Sequence, residues 1–259
     1  MSTRPARLAL VVFALSTSAL VPLSARAQQG PWVAQVGFQA LSVSRSQDWY
    51  ELRQDISRLW GRGDRAGGAL VETSRFGHWD ESLELRGTLH PVERLYVSLQ
   101  GRWTPDGRIL ERYMLHATVS MPSGHFVPAL GYEIKDYTEG PVHQVSPRLD
   151  WYRGRWFLRG EARFTRNTFG TVNVAAIGRA QTALAPDWQA WVGVALGNED
   201  FLVGPPGDQS VRTLRTRSAY AGAQWTGVPG WTVRLDVVGV HSEPRLSRAG
   251  VSLSLSRSF

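Results

Sequence analysis

There is no cysteine among the 259 residues of this chain. Disulfide stapling, thiolate metal ligation and thiol redox chemistry are therefore excluded, and so is the lipid-bearing cysteine of a bacterial lipoprotein. Lysine is almost missing as well: Lys135 stands alone, and arginine carries the rest of the positive charge. The basic residues are spread along the chain and interleaved with acids rather than gathered on one face, so no nucleic-acid partner is expected. After Leu20 no apolar run approaches the roughly 20 residues a membrane-spanning helix needs. No later segment repeats apolar residues at i, i+3, i+4 and i+7. A nucleophile elbow, a phosphate-binding loop and a zinc-ligand spacing are all missing.

What is present begins with an export pattern. Arg4 and Arg7 form a basic start, Leu8 to Leu20 is apolar apart from small hydroxyl residues, and Ala25-Arg26-Ala27 is an A-x-A cleavage site. The apolar part is too short to span a bilayer as a helix. The expected organisation is a cleaved signal peptide over residues 1–27 and one mature domain over 28–259. Cleavage would remove Arg4, Arg7 and Arg26 and no acid, so the precursor's formal charge of +7 overstates the basicity of the mature chain.

The far end is equally patterned. Val251, Leu253, Leu255, Arg257 and Phe259 alternate with Ser252, Ser254, Ser256 and Ser258. Period-two alternation is the pattern of a strand with one apolar and one polar face. In an outer-membrane barrel the apolar face meets lipid and the polar face meets the lumen. Phe259 resembles the terminal signal that hands such barrels to the barrel-assembly machinery. The rest of the chain divides into similar segments separated by Gly, Pro, Asp and Asn. Strands are expected at 32–45, 48–60, 66–76, 79–90, 94–104, 111–121, 125–136, 142–153, 155–166, 171–185, 188–198, 213–225, 231–242 and 247–259. An even number brings both ends of a barrel to the periplasmic side; fourteen is the expectation and twelve the alternative. The predicted fold class is therefore all-β, a transmembrane antiparallel up-and-down β-barrel.

Tight reversals at Gly61–Asp64, Pro91–Glu93, Pro122–Gly124, Gly154, Pro186–Asp187 and Thr226–Gly230 fall at every second connection and are the expected periplasmic turns. The outward loops are then Pro105–Leu110, Tyr137–Pro141, Asn167–Gly170, Asn198–Arg212 and Ser242–Leu246, with Asn198–Arg212 the candidate recognition or gating loop. Most of the eleven tryptophans sit at segment ends: Trp32, Trp49, Trp60, Trp79, Trp103, Trp151, Trp156, Trp188, Trp225 and Trp231. Aromatics at strand ends with aliphatics between them suit the two interface girdles of a membrane barrel.

Parity then sorts the two faces. Leu83, Leu85, Leu89, Leu115, Val192, Val194, Leu196, Leu235 and Val237 fall on the lipid side. The opposite parity carries a charge ladder: Glu51, Arg53, Asp55, Glu84, Arg86, Arg102, Arg112, His116, Arg148, Asp150, Arg159, Glu161, Arg163, Arg234 and Asp236. Glu133, Lys135, Arg179 and Gln181 share that parity. Such a ladder either braces a mostly closed barrel or lines a narrow channel with a weak preference for anions.

Trp79-Asp80-Glu81-Ser82-Leu83-Glu84-Leu85, Arg94-Leu95-Tyr96-Val97-Ser98-Leu99, Pro128-Ala129-Leu130-Gly131-Tyr132-Glu133 and Asp150-Trp151-Tyr152-Arg153-Gly154-Arg155-Trp156-Phe157-Leu158-Arg159-Gly160 resemble, in order and spacing, the YaiO-like outer-membrane β-barrel proteins. Arg257 departs from the aromatic residue usual two places before the terminal Phe. The resemblance implies a monomeric barrel in outer-membrane lipid without catalytic residues; the residues themselves give no reason to expect a cofactor or metal. Some relatives are encoded near surface-polysaccharide genes, which makes surface polysaccharide a candidate partner.

Two other classes of protein make different demands on the sequence. A lipid-modifying hydrolase needs a Ser–His pair, yet His143 and Ser146 have opposite parity and no oxyanion motif accompanies them. A secreted soluble β-sandwich would place the polar parity in water and the tryptophans in its core. The expectation is a non-enzymatic outer-membrane barrel, either a narrow channel or a surface-structural protein.

Overall fold

In hydrocarbon a strand's backbone groups have no water to bond, so strands cross a membrane only as a sheet closed on itself. A computed structural model of the chain has that form. It describes residues 31–259 apart from 45, 61, 62, 139, 169, 204–209 and 243–245. The expected signal peptide and the tip of the Asn198–Arg212 loop lie outside the described residues.

Fourteen strands follow in order. They are β1 (Trp32–Val43), β2 (Trp49–Trp60), β3 (Asp64–Arg75), β4 (His78–Val92), β5 (Leu95–Trp103), β6 (Tyr113–Ser120) and β7 (Phe126–Tyr137). The second half comprises β8 (Gly140–Arg153), β9 (Trp156–Arg166), β10 (Val172–Ala185), β11 (Trp188–Val203), β12 (Ser210–Trp225), β13 (Trp231–Ser242) and β14 (Leu246–Ser258). Each pairs antiparallel with its neighbours in sequence, and β1 pairs with β14 from Val33↔Ser258 to Val43↔Arg248, so the barrel is closed. The predicted segments match these strands to within a few residues, with one departure. β11 and β12 run on as a hairpin to the pair Val203↔Ser210, through much of what reads as loop in sequence. Asn198, Glu199 and Asp200 interrupt the apolar alternation there, but a ladder that outruns the lipid needs no apolar face.

The turns follow local chemistry. Phe76 and Gly77 form a two-residue connection between Arg75 and His78, with φ of 53° and 76°. Positive φ at both positions suits the right-handed twist of a hairpin. Phe76 accepts a conformation that costs a residue with a Cβ roughly 1–2 kcal/mol, and its ring packs edge-on against Trp49 at 5.3 Å.

Burial alternates along the strands. On β4, Asp80, Ser82 and Glu84 are buried while Trp79, Leu83 and Leu85 are exposed, Leu85 to 61%. On β14, Leu253 is 53% exposed and Ser256 is buried. Charged groups inside and aliphatics outside invert the distribution of a soluble domain. The outer belt is therefore a lipid-facing surface. Trp32, Trp60, Trp156 and Trp188 are exposed at the end that carries both termini, and Trp79 and Trp103 at the other. Trp188 and Trp225 sit side by side at 6.5 Å, and Arg58 and Arg257 stack on Trp32 and Trp231 at 5.4 and 5.3 Å. Trp49 corrects the girdle expectation. It is 5% exposed and faces inward, because it shares the odd parity of Glu51 and Arg53.

Arginine at a mid-strand lipid-facing site costs about 2–4 kcal/mol near the bilayer midplane. Leu253→Arg is expected to lower the stability of the refolded barrel in vesicles by that amount, and Ser254→Arg, one residue on and facing inward, by less than half as much. Urea titration read by heat-modifiable gel migration checks it; equal losses would refute the assignment of faces.

Candidate functional site

The densest charge network spans β2 to β5 and depends on how little β3 places between them. Ala69 lies opposite both Asp55 and Glu84, and Gly67 lies opposite Arg86. These short inward side chains let groups on β2 and β4 meet over the top of β3. Arg53 forks onto Glu84, with its Nη1 donating to Oε2 at 3.1 Å, and Arg86 donates to Asp55. A Cβ on Gly67 would lie 2.5 Å from the Cβ of Ser57, so this position has no room for a larger residue. Glu84 also accepts from Arg102 at 3.0 Å, and Arg102 reaches Glu111 at 3.1 Å. The Glu84 side chain is 1% exposed and lies between two guanidiniums.

The ladder continues around the wall. His116 Nε2 bonds Thr118 Oγ1 at 2.7 Å and its Nδ1 lies 3.4 Å from Glu133, which also holds Lys135 at 2.7 Å. Arg159 donates twice to Asp150, at 2.7 and 2.9 Å, with Arg148 at 3.5 Å from the same carboxylate. Arg163 pairs with Glu161 at 2.5 Å, and Arg234 with Asp236 at 2.6 and 3.0 Å. Glu51 shares the inward face and makes no ion pair among the described residues. Arg112 does not join. It precedes β6, is half-exposed at the rim and pairs with Asp136 at 2.8 Å. Parity projected from a strand fails there because the strand has not yet begun.

Three features escaped the sequence reading. Asp80, buried on β4, accepts hydrogen bonds from the backbone N–H groups of Arg108, Ile109 and Leu110 at 2.8–3.1 Å. Those bonds, with the Thr104–Ser82 contact at 2.9 Å, hold the β5–β6 connection against the inner wall, so Leu110 and Glu111 are buried. Part of this expected outward loop therefore turns inward. Trp49 is a luminal tryptophan flanked by two guanidiniums, Arg75 at 4.9 Å and Arg248 at 5.3 Å. Trp191 is the other, with Arg179 at 5.2 Å and Arg234 at 4.5 Å, and its indole N–H donates to Asp236 at 2.8 Å. Odd parity on β2 and β11 signals both tryptophans; nothing in the sequence signals the Asp80 strap.

His143 is half-buried on the outer face and bonds Tyr132 at 2.8 Å, whereas Ser146 is buried inward, so they form no nucleophile–base pair. Among the described residues no His, Asp and Glu cluster fits a metal ion.

No family model matches the chain, and comparison with curated proteins finds no relative. Solved structures do match. Omp33 of Acinetobacter baumannii superposes with a TM-score of 0.54 at 11% identity, covering 90% of this chain and 100% of that one. A loop-deletion mutant of OmpT, an outer membrane protein of Vibrio cholerae, gives 0.52 at 6% identity, covering 87% and 98%. An anion-selective porin from Comamonas acidovorans gives 0.50 at 9% identity, covering 88% and 98%. The fold is that of an outer-membrane β-barrel. A closed barrel with this apolar belt and aromatic ends is the architecture of cell outer-membrane proteins.

Removing one partner of a buried charge network leaves the others uncompensated, at roughly 3–5 kcal/mol. Glu84→Gln, which leaves Arg53 without its carboxylate and Arg102 with Glu111 alone, is expected to destabilise the refolded barrel on that scale. Glu161→Gln, whose partner Arg163 is well exposed, should cost about 1 kcal/mol or less. Urea midpoints measure both, and equal effects would refute the bracing role of the Glu84 cluster. Asp80→Asn should make the 104–112 segment cleavable by added protease in the folded barrel; unchanged resistance would show that the carboxylate does not hold the strap.

Proposed function

We propose that the mature chain is a monomeric, non-enzymatic outer-membrane channel: a narrow, passive pore with a weak preference for small anions. Residues 1–27 would serve as its export signal, and β14 with Phe259 as the strand the barrel-assembly machinery engages. One observation carries the channel reading. Where β14 meets β1 the inner parity carries Ser252, Ser254, Gly37 and Gln39, uncharged side chains shorter than the arginines that line the rest of the wall, and they leave space beside the network. Side chains fill the interior of an eight-stranded barrel, and fourteen strands enclose a wider one. The YaiO-like strand and turn motifs support the membrane barrel and add no substrate.

The ion-pair network itself favours a second reading, a braced and closed barrel with a structural role at the surface, where polysaccharide is the candidate partner. Planar-bilayer recording separates the two. The channel reading expects discrete conductance steps smaller than those of a general porin, and a reversal potential under a KCl gradient that favours chloride. A silent bilayer containing protein shown to be folded by its heat shift would overturn the channel and leave the structural barrel.

A further inference from the structure

Charge is balanced unevenly around the lumen. Arg159 has two hydrogen bonds to Asp150, and Arg234 has two to Asp236. Arg179, between them on β10, has no carboxylate within ion-pair distance among the described residues. Its Nη2 donates to Gln181 Oε1 at 3.0 Å, and Gln181 is itself tied to Gln189 at 3.0 Å. The Arg179 Nε is buried and has no hydrogen-bond partner among the described residues. Across the β9–β10 ladder its direct opposite is Arg159, a like charge. Like charges in register destabilise a sheet, and a partly buried cation without a counter-ion is costlier still. Trp191 closes the far side. It is 2% exposed, carries the Arg179 and Arg234 guanidiniums on its ring, and has spent its N–H on Asp236.

We propose that Arg179, with Arg159 beside it and Trp191 behind it, is an oxyanion-binding station of the lumen, and that its ligand is a small tetrahedral anion of the phosphate or sulfate type. The Nε is closed off from the lumen, and the N–H groups that Gln181 leaves free on Nη1 and Nη2 match two oxygens of such an anion, which a single halide cannot engage as well. The ring holds the fork in place by a cation–π contact. The station deepens the channel reading and rests on it for one point only, that the lumen admits solvent.

The probe is inorganic phosphate, titrated calorimetrically at constant ionic strength into the folded barrel in detergent, with sulfate and chloride in parallel runs. Phosphate and sulfate are expected to bind to one site and chloride at least tenfold more weakly. Arg179→Gln should weaken phosphate at least tenfold, while Arg112→Gln, at the rim, should bind as the native chain does. Gel heat shifts confirm that each variant is folded. Phosphate should also alter the tryptophan emission of the native barrel and leave that of Trp191→Phe unchanged. No phosphate binding, or equal binding by native and Arg179→Gln protein, overturns the station. The two proposals fail separately: phosphate binding by a barrel that is silent in bilayers refutes the pore alone, and chloride conduction without phosphate binding refutes the station alone.

Discussion

Every backbone N–H and C=O within the lipid-facing belt must find its partner in another strand, because hydrocarbon offers none. The β1–β14 pairing, unbroken from Val33↔Ser258 to Val43↔Arg248, meets that demand for the two strands that would otherwise be edges. Closure has a second consequence. It separates an inside from an outside, so side-chain parity along each strand becomes a choice between lumen and lipid. The apolar surface of Leu85, Val192 and Leu253 and the interior position of Glu84, Asp55 and Asp150 follow from that one division.

Placing charges inside raises a problem that the wall itself resolves. A carboxylate shielded as Glu84 is requires close cations, and its best one, Arg53, sits two strands away. The contact exists because β3 places the short Ala69 opposite Glu84, and Gly67 with Ala69 leaves the same room between Arg86 and Asp55. The same device recurs on the far wall, where Gly222 of β12 lies between Trp191 of β11 and Asp236 of β13. Small residues in this barrel are spacers for contacts that skip a strand. They let the network lie along the wall, and the space beside it is what the channel reading uses.

Much of the site was legible from parity. Arg53, Glu84, Asp150, Arg159 and Asp236 lie on the inner face because strand alternation is strict within a paired ladder. Their partners were not legible, since Arg53 and Glu84 are 31 residues apart and meet only through the register of two hairpins. Arg112 shows the limit of the rule at a strand end, and Asp80 shows it at a loop, where three backbone N–H groups converge on a carboxylate with no periodic signature. Trp49 and Trp191 were open to the parity argument, but the place of Trp49 at a strand end pointed to the girdle, and Trp191 was left without a role.

Alternation, turn residues and tryptophan placement by themselves determined the class of fold and the face of nearly every mid-strand residue, and narrowed the strand number to fourteen or twelve. These are local properties: a strand has a period of two, a reversal needs Gly, Pro or Asn, and lipid admits few charges. Only the tertiary structure decided which charges neutralise one another, which loop turns inward and that Arg179 is among the described arginines left without a carboxylate. Those outcomes depend on register and closure, and both are set by long-range pairing between strands rather than by the residues on either side.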